Sequence, residues 1–227
     1  MTTKTEIKEI FTSIQGEGEL VGYTQLFIRF CKCDYNCKYC DTDYKKDNTC
    51  ETYTPNSLAE RIKSFDTKNI HSICLTGGEP LMETSFLKEF LRNVTLPVYL
   101  ETNATRTDEL AEIINMVKYI SANIKLPSAY GGKDCFEEHA EFLRLCKQAR
   151  KEFYMKVVFD ENITDYEIDK CIEIAKNSDT EIILQPVTKN GKILMKSRIM
   201  PEVLERFRKK YWHVRLIPQV HKMLAVR

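Results

Sequence analysis

Cys33-Asp34-Tyr35-Asn36-Cys37-Lys38-Tyr39-Cys40 places three thiols within eight residues, in the spacing C-x-x-x-C-x-x-C. Thiolates this close on one loop can wrap a small inorganic core, and iron–sulfur clusters are held by cysteines, usually four of them. Three close cysteines and no obvious fourth leave one iron of a cube without a protein ligand, as a catalytic zinc keeps one position open. With Cys31 added, the same run also reads as a structural zinc knot. Common zinc frameworks use two separated C-x-x-C pairs, and no second pair exists here.

Upstream of this run, Leu26-Phe27-Ile28-Arg29-Phe30 predicts a short buried strand feeding straight into the cysteine loop. Downstream, Thr54 as N-cap and Pro55 at the first helical position open a helix. Strands are then predicted at Ser72–Leu75, Val98–Leu100, Val117–Ile120, Tyr154–Phe159, Ile182–Leu184 and Trp212–Ile217. Helices intervene through Phe86–Leu91, Leu110–Ile114, Phe136–Arg150, Ile168–Ala175 and Val203–Lys210, with a capping box at Thr164 and Glu167 and a loop over Pro127–Asp134. Strands alternating with helices imply parallel pairing through crossovers. The expected fold is α/β: an open or partial (β/α) barrel of about six to seven parallel strands, too few to close an eight-fold barrel. One domain spanning 1–227 is expected, with its chemistry at the carboxyl ends of the strands.

Composition narrows the function classes. A formal charge of +1 offers no electrostatic case for nucleic acid. No run approaches the ~20 apolar residues that span a bilayer, so no membrane partner is expected. The opening Met1-Thr2-Thr3-Lys4-Thr5-Glu6 lacks the apolar run of a signal peptide. A cytoplasmic setting is expected, where thiols serve metals rather than disulfides. Of the nine cysteines, Cys74 and Cys146 read as core residues, while Cys31, Cys50, Cys135 and Cys171 receive no role.

Several polar motifs directly follow predicted strands: the cysteine loop, Thr76-Gly77-Gly78-Glu79-Pro80, Glu101-Thr102-Asn103, Ser121 and Gln185-Pro186. Each alone is an ordinary strand-end turn, but together they converge on one rim. Gln15-Gly16-Glu17-Gly18 reads as an open loop that lets backbone approach a ligand. Arg29, in an apolar strand, needs either an internal carboxylate or an anionic ligand.

The cysteine run, with Tyr39 before its last thiol, and Gly77-Gly78-Glu79-Pro80 resemble the signature of the radical S-adenosylmethionine (SAM) enzymes. In that family three cysteines hold a 4Fe-4S cluster, SAM chelates the fourth iron, and reduction yields a 5′-deoxyadenosyl radical. Gln15-Gly16-Glu17-Gly18, Cys33–Thr42 and Pro218-Gln219-Val220-His221-Lys222 further resemble the 7-carboxy-7-deazaguanine synthases, over essentially the whole chain. The resemblance implies ring contraction of 6-carboxy-5,6,7,8-tetrahydropterin to 7-carboxy-7-deazaguanine with loss of ammonia, on the route to queuosine.

By position, the resemblance gives Cys33, Cys37 and Cys40 to the cluster and Thr42 to a magnesium ion. It gives Tyr39, Gly77, Gly78, Glu79, Thr102, Ser121, Asn123, Lys125 and Gln185 to SAM. Ile14, Gln15, Gly16, Glu17, Arg29, Thr76 and His221 would meet the pterin. A homodimer and an electron donor such as flavodoxin or ferredoxin are implied as partners. Ala104 departs from the family pattern, which often has glycine there. The competing readings are another radical SAM enzyme, such as a glycyl-radical activating enzyme, and a zinc-binding interaction module.

Overall fold

The structure, a computed structural model, describes residues 3–40, 49–189 and 191–226. In chain order its first elements are β1 (Thr5–Ile14), β2 (Thr24–Phe30), β3 (Glu51–Tyr53), α1 (Pro55–Lys63), β4 (Ser72–Thr76) and α2 (Thr84–Leu91). The middle comprises β5 (Val98–Thr102), α3 (Thr107–Ile113), β6 (Tyr119–Ile124), α4 (Pro127–Tyr130), α5 (Phe136–Gln148) and β7 (Glu152–Phe159). Then come α6 (Asp165–Ser178), β8 (Ile182–Pro186), the small ribbon β9 (Thr188–Lys189) and β10 (Lys192–Ile193), α7 (Ile199–Arg208), β11 (Val214–Leu216) and α8 (Val220–Met223).

Among the described residues one sheet has nine strands in the order β11-β8-β7-β6-β5-β4-β2-β1-β3. From β2 to β11 every neighbouring pair is parallel, giving the expected open α/β sheet. It does not close, since β11 and β3 are its edges.

Side chains alternate faces along a strand, and here the alternation separates core from site. Leu26, Ile28, Ile73, Leu75, Leu100, Ile120, Ala122, Met155, Val157 and Leu184 enter the main core with residues of the helices. The opposite face carries Phe27, Cys74, Tyr99, Tyr154 and Ile183 as a smaller apolar cluster. One step further toward the carboxyl ends, that same face turns polar: Arg29, Thr76, Glu101, Asn123, Lys156 and Gln185.

Both helix starts read from local chemistry are present. The Thr54 hydroxyl accepts from the Ser57 N–H at 3.1 Å while Ser57 Oγ accepts from the Thr54 N–H at 2.9 Å. Glu167 closes the second box by accepting from the Thr164 N–H at 2.8 Å. Such caps contribute about 1 kcal/mol each.

Several expectations need correction. Residues 5–14 form β1, which the sequence hides because only Thr5 and Ile7 are buried along it. Val117 and Lys118 precede β6 rather than starting it, and part of the expected loop at 127–134 is the short helix α4. Cys31 and Cys50 form a disulfide, against the expectation that the thiols serve metals alone. Phe30 and Glu51 both pair with Ile7, so the two cysteines just beyond them are brought together, with Cα atoms 6.6 Å apart. The bridge also removes Cys31 from the four-cysteine zinc set. Cys74, Cys146 and Cys171 are fully buried, and burial pushes the Cys146 thiol up to about 12.

Candidate active site

A cavity of about 480 Å³ opens at the carboxyl ends of the parallel strands. The cysteine loop borders it from one side, through Cys33, Cys37, Tyr39 and Cys40. The thiols of Cys33 and Cys37 are free, and Cys40 lies exposed. Burial pushes the Cys33 thiol up to about 11 and raises Tyr39 as well.

The loop is braced from β5. Asp34 accepts from Asn103 Nδ2 at 3.0 Å and from two nitrogens of Arg106, at 3.1 and 2.8 Å. Behind it, the buried Glu79 carboxylate accepts from the Leu81 N–H at 3.0 Å, the Thr102 hydroxyl at 2.8 Å and the Asn103 N–H at 2.7 Å. Desolvation outweighs these bonds and lifts its pKa to about 7.

Gly77 and Gly78 cross the mouth of β4 with φ of 66° and 44°. A methyl group on Gly78 would overlap the Lys32 carbonyl, and one on Gly77 the Arg29 side chain. Glycine is required here by both the backbone angle and the close approach. Ala104 holds φ at 56°, which explains why glycine suits this position. Its carbonyl receives His139 Nδ1 at 3.0 Å while His139 Nε2 accepts the Lys125 N–H at 3.0 Å. Burial pushes His139 down to about 4, so it serves as a neutral bridge under Lys125.

Across the cavity, the Gln15 amide donates to Gln25 Oε1 at 2.9 Å and to Glu101 Oε1 at 3.2 Å. Thr76 donates to the other Glu101 oxygen at 2.5 Å. The Glu17 N–H donates to Gln15 Oε1 at 3.0 Å. These bonds hold an amide and a carboxylate at fixed angles facing the cavity. Arg29 Nε donates to Glu9 at 2.7 Å while its side chain borders the same space. The internal carboxylate and the open site are therefore both realised.

The structure gathers Ile14, Gln15, Gly16, Glu17, Arg29, Thr76 and His221 around this cavity. Gly77, Gly78, Thr102, Asn123, Lys125 and Gln185 border it too. Glu79 sits beneath the glycine turn, and Ser121 is fully buried, donating to Asn123 Oδ1 at 3.3 Å. Neither faces the cavity. Thr42 lies outside the described residues.

Sequence reading missed Lys156 and Gln219 as cavity residues, and it placed Glu101 on the rim without giving it a role. The available signal for Lys156 was a single cation inside the apolar run Tyr154–Phe159. Burial works against the Lys156 charge, but the Glu17 and Glu101 carboxylates outweigh it and hold its pKa above the ordinary value. Burial opposes the Glu17 charge as well, and the Lys156 ammonium holds its carboxyl below the usual range.

The chemistry of the lining fits the implied groups. Three cysteine side chains edge one space, the donor type and number that a cluster with an open corner uses, although among the described residues they are not drawn together into a metal-holding group. The glycine turn leaves backbone exposed to a ligand. Gln185 Oε1 is buried without a hydrogen-bond partner among the described residues and belongs to the same lining. A buried unpartnered acceptor costs roughly 1–3 kcal/mol, which a ligand donor in the cavity would relieve.

The Radical SAM superfamily pattern matches residues 27–175. The chain is 35% identical over 244 residues to the 7-carboxy-7-deazaguanine synthase of Geobacter sulfurreducens, covering 97% of both chains. To the synthase of Archaeoglobus fulgidus it is 33% identical, across 99% of this chain and 100% of that one. Among solved structures, QueE from Escherichia coli matches with a TM-score of 0.64 at 17% identity, over 94% of this chain and 93% of that chain. A radical SAM methyltransferase from Sphaerobacter thermophilus matches with a TM-score of 0.61 at 11% identity, over 86% and 66%. At such identities the structural likeness speaks for the fold.

Proposed function

The chain belongs to the 7-carboxy-7-deazaguanine synthases of the radical SAM superfamily, and from that membership we propose how its cavity serves their reaction. The substrate is 6-carboxy-5,6,7,8-tetrahydropterin, converted to 7-carboxy-7-deazaguanine with release of ammonia. The observation that carries this reading is that the cysteine loop, the glycine turn and the Gln15–Glu101–Thr76 network edge one cavity.

Cys33, Cys37 and Cys40 would hold a 4Fe-4S cluster, and the rim from Gly77 to Gln185 would hold SAM. Together, when bound, they supply a carbon-centred radical able to remove a hydrogen atom from the substrate. The remaining work falls to side chains. The Gln15 amide oxygen and the Glu101 carboxylate present acceptors to the N–H donors of the heterocycle edge, since both Gln15 amide hydrogens go to Gln25 and Glu101. Thr76 fixes the carboxylate that reads that edge. Arg29 faces the substrate carboxylate with a planar fork, held in orientation by Glu9. Phe11, Phe27 and Val158 line the same space and limit water around a reactive centre.

The proposal extends to a magnesium ion held through Thr42, since a hydroxyl is a suitable hard donor and Mg²⁺ keeps waters and substrate oxygens in its other positions. It also includes a single radical SAM domain, a homodimer, a cytoplasmic location and a flavodoxin or ferredoxin as electron donor. Among the described residues no helix is long and apolar enough to cross a membrane.

The direct test is anaerobic reconstitution with iron and sulfide, followed by reductant, SAM and the carboxypterin. A deazaguanine product is expected by mass and absorbance. SAM cleavage without that product would transfer the chain to another radical SAM reaction.

A further inference from the structure

Glu17 lies in the loop assigned by resemblance to the pterin, yet its carboxylate is engaged at both oxygens. Oε2 receives the Lys156 ammonium, and Oε1 receives the Gln219 amide at 2.6 Å. Gln219 in turn accepts from Lys222 Nζ at 2.7 Å. Alongside, the Val220 N–H donates to the Gly16 carbonyl at 2.9 Å, and His221 packs where a side chain on Gly16 would stand. The strand β7, the loop at 15–17 and the C-terminal segment are thus joined through one carboxylate.

Energetics favour keeping that carboxylate where it is. The Lys156 side chain is 6% exposed and that of Glu17 16%. A buried ammonium deprived of its counter-ion is strongly penalised. Turning Glu17 toward an uncharged heterocycle edge would take from Lys156 its hydrogen-bonded counter-ion, leaving it only the Glu101 charge, and would break the bond to Gln219. Glu101, by contrast, presents its carboxylate to the cavity from the sheet floor without holding the tail.

We infer that Glu17 and Lys156 are positioning residues, a latch that fastens the C-terminal segment across the cavity and sets where His221 stands against the substrate. The inference rests on the cavity being the carboxypterin site, and it changes the role of Glu17 from substrate contact to fastener. Through the latch, substrate affinity depends on a residue of the strand interior that need not touch the substrate.

The test uses the reconstituted full chain and two variants, Glu17→Gln and the double Glu17→Leu/Lys156→Met. The double variant removes the hydrogen-bonded pair at once and leaves Glu101 its bonds from Gln15 and Thr76, and circular dichroism checks that the fold is retained. Trypsin is added without substrate, and release of the 223–227 peptide is followed by mass spectrometry. Release should quicken on the order of tenfold in the double variant, as expected for loss of one buried charge-assisted hydrogen bond. In turnover, KM for the carboxypterin should rise on the order of tenfold, with a smaller change in KM for SAM.

A raised pterin KM with unchanged peptide release would overturn the latch and return Glu17 to direct contact. Unchanged values of both would overturn it outright. Faster release in the variants, with no carboxypterin turnover by the unmodified chain, would uphold the latch and overturn the substrate assignment instead.

Discussion

The Glu79 carboxylate accepts the backbone N–H of Asn103 at 2.7 Å, tying the turn after β4 to the end of β5. Asn103 then passes the support on, its side-chain amide donating to Asp34 inside the cysteine loop at 3.0 Å. A residue that does not border the cavity therefore holds the loop that does. Glu79 is best understood as the foundation of the rim, with Asn103 and Arg106 as the struts that set where the cysteines stand.

That foundation makes stability respond to pH. Burial lifts Glu79 from 4.5 to about 7. A folded-state pKa above the unfolded one means the contribution is full below the unfolded value and is lost as pH rises through about 7. His139 runs oppositely: lowered from 6.5 to about 4 by burial, it contributes above 6.5 and loses that contribution as pH falls through about 4. Comparison with Glu79→Gln isolates the first effect. Between pH ~5 and ~8 the stability of the native chain should decline by on the order of 1–3 kcal/mol more than that of the variant. Urea midpoints measured across that range check it, and parallel slopes would contradict it.

Cys37→Ala removes the middle thiol of the run. Three thiolates are the minimum for a cube that leaves one corner to a small molecule. Iron per chain and absorption near ~400 nm should collapse after anaerobic reconstitution, and SAM cleavage should vanish. Retained turnover in this variant would rule out the cluster assignment.

Gly78→Ala tests the close approach at the glycine turn. The new methyl would meet the Lys32 carbonyl, which is backbone and cannot swing aside, at a φ of 44° that alanine disfavours by about 1–2 kcal/mol. Lys32 precedes the first cluster cysteine, so the strain is transmitted to the loop. SAM affinity should fall on the order of tenfold or more while the global fold, read by circular dichroism, stays intact. Calorimetry reporting wild-type SAM binding would show that the turn lies apart from the SAM site.

Much of this architecture was legible in the sequence because its signals are local. Thr54 and Thr164 announced their helices through hydroxyls acting within three residues. The parallel strands showed themselves as apolar runs ending in polar motifs. Glu101 stood in such a motif but received no role, and Lys156, inside its strand, could not be assigned the same way, because which face a strand residue occupies matters only once neighbouring strands are in register. Gln219 reaches Glu17 across 202 positions, a proximity that no periodicity encodes. The Cys31–Cys50 pairing likewise depends on both flanking strands meeting β1 at Ile7. Ser121 and Glu79 were placed on the rim by their position after strands, yet they support it from within.

Thr42→Ala addresses the proposed magnesium site. Removing a neutral hydroxyl leaves the three thiols untouched, so iron content should match the unmodified chain. Magnesium activation should weaken, with the half-saturating concentration rising on the order of tenfold, because one hard oxygen donor is lost from a site that depends on few protein ligands. Turnover titrated with Mg²⁺ measures this. An unaltered titration would make Thr42 a bystander.

Arg29→Lys separates substrate recognition from SAM recognition. The Arg29 guanidinium is tethered to Glu9 at 2.7 Å and lies 5.9 Å from the Phe11 ring centroid, so its plane is fixed before substrate arrives. Lysine keeps the charge but replaces the planar fork with a flexible point charge, losing two-pronged geometry toward a carboxylate. KM for the carboxypterin should therefore rise on the order of tenfold, while KM for SAM shifts by no more than about twofold. Equal shifts in both constants would mean that Arg29 supports the cavity as a whole and not the substrate carboxylate. That distinction matters because Thr76, which pairs with Arg29 in register across β2 and β4, also anchors Glu101. A disturbance reaching Glu101 would weaken recognition of the heterocycle edge as well, and a substrate analogue lacking the carboxylate exposes it: its affinity should be unchanged by Arg29→Lys if the guanidinium acts on the carboxylate alone.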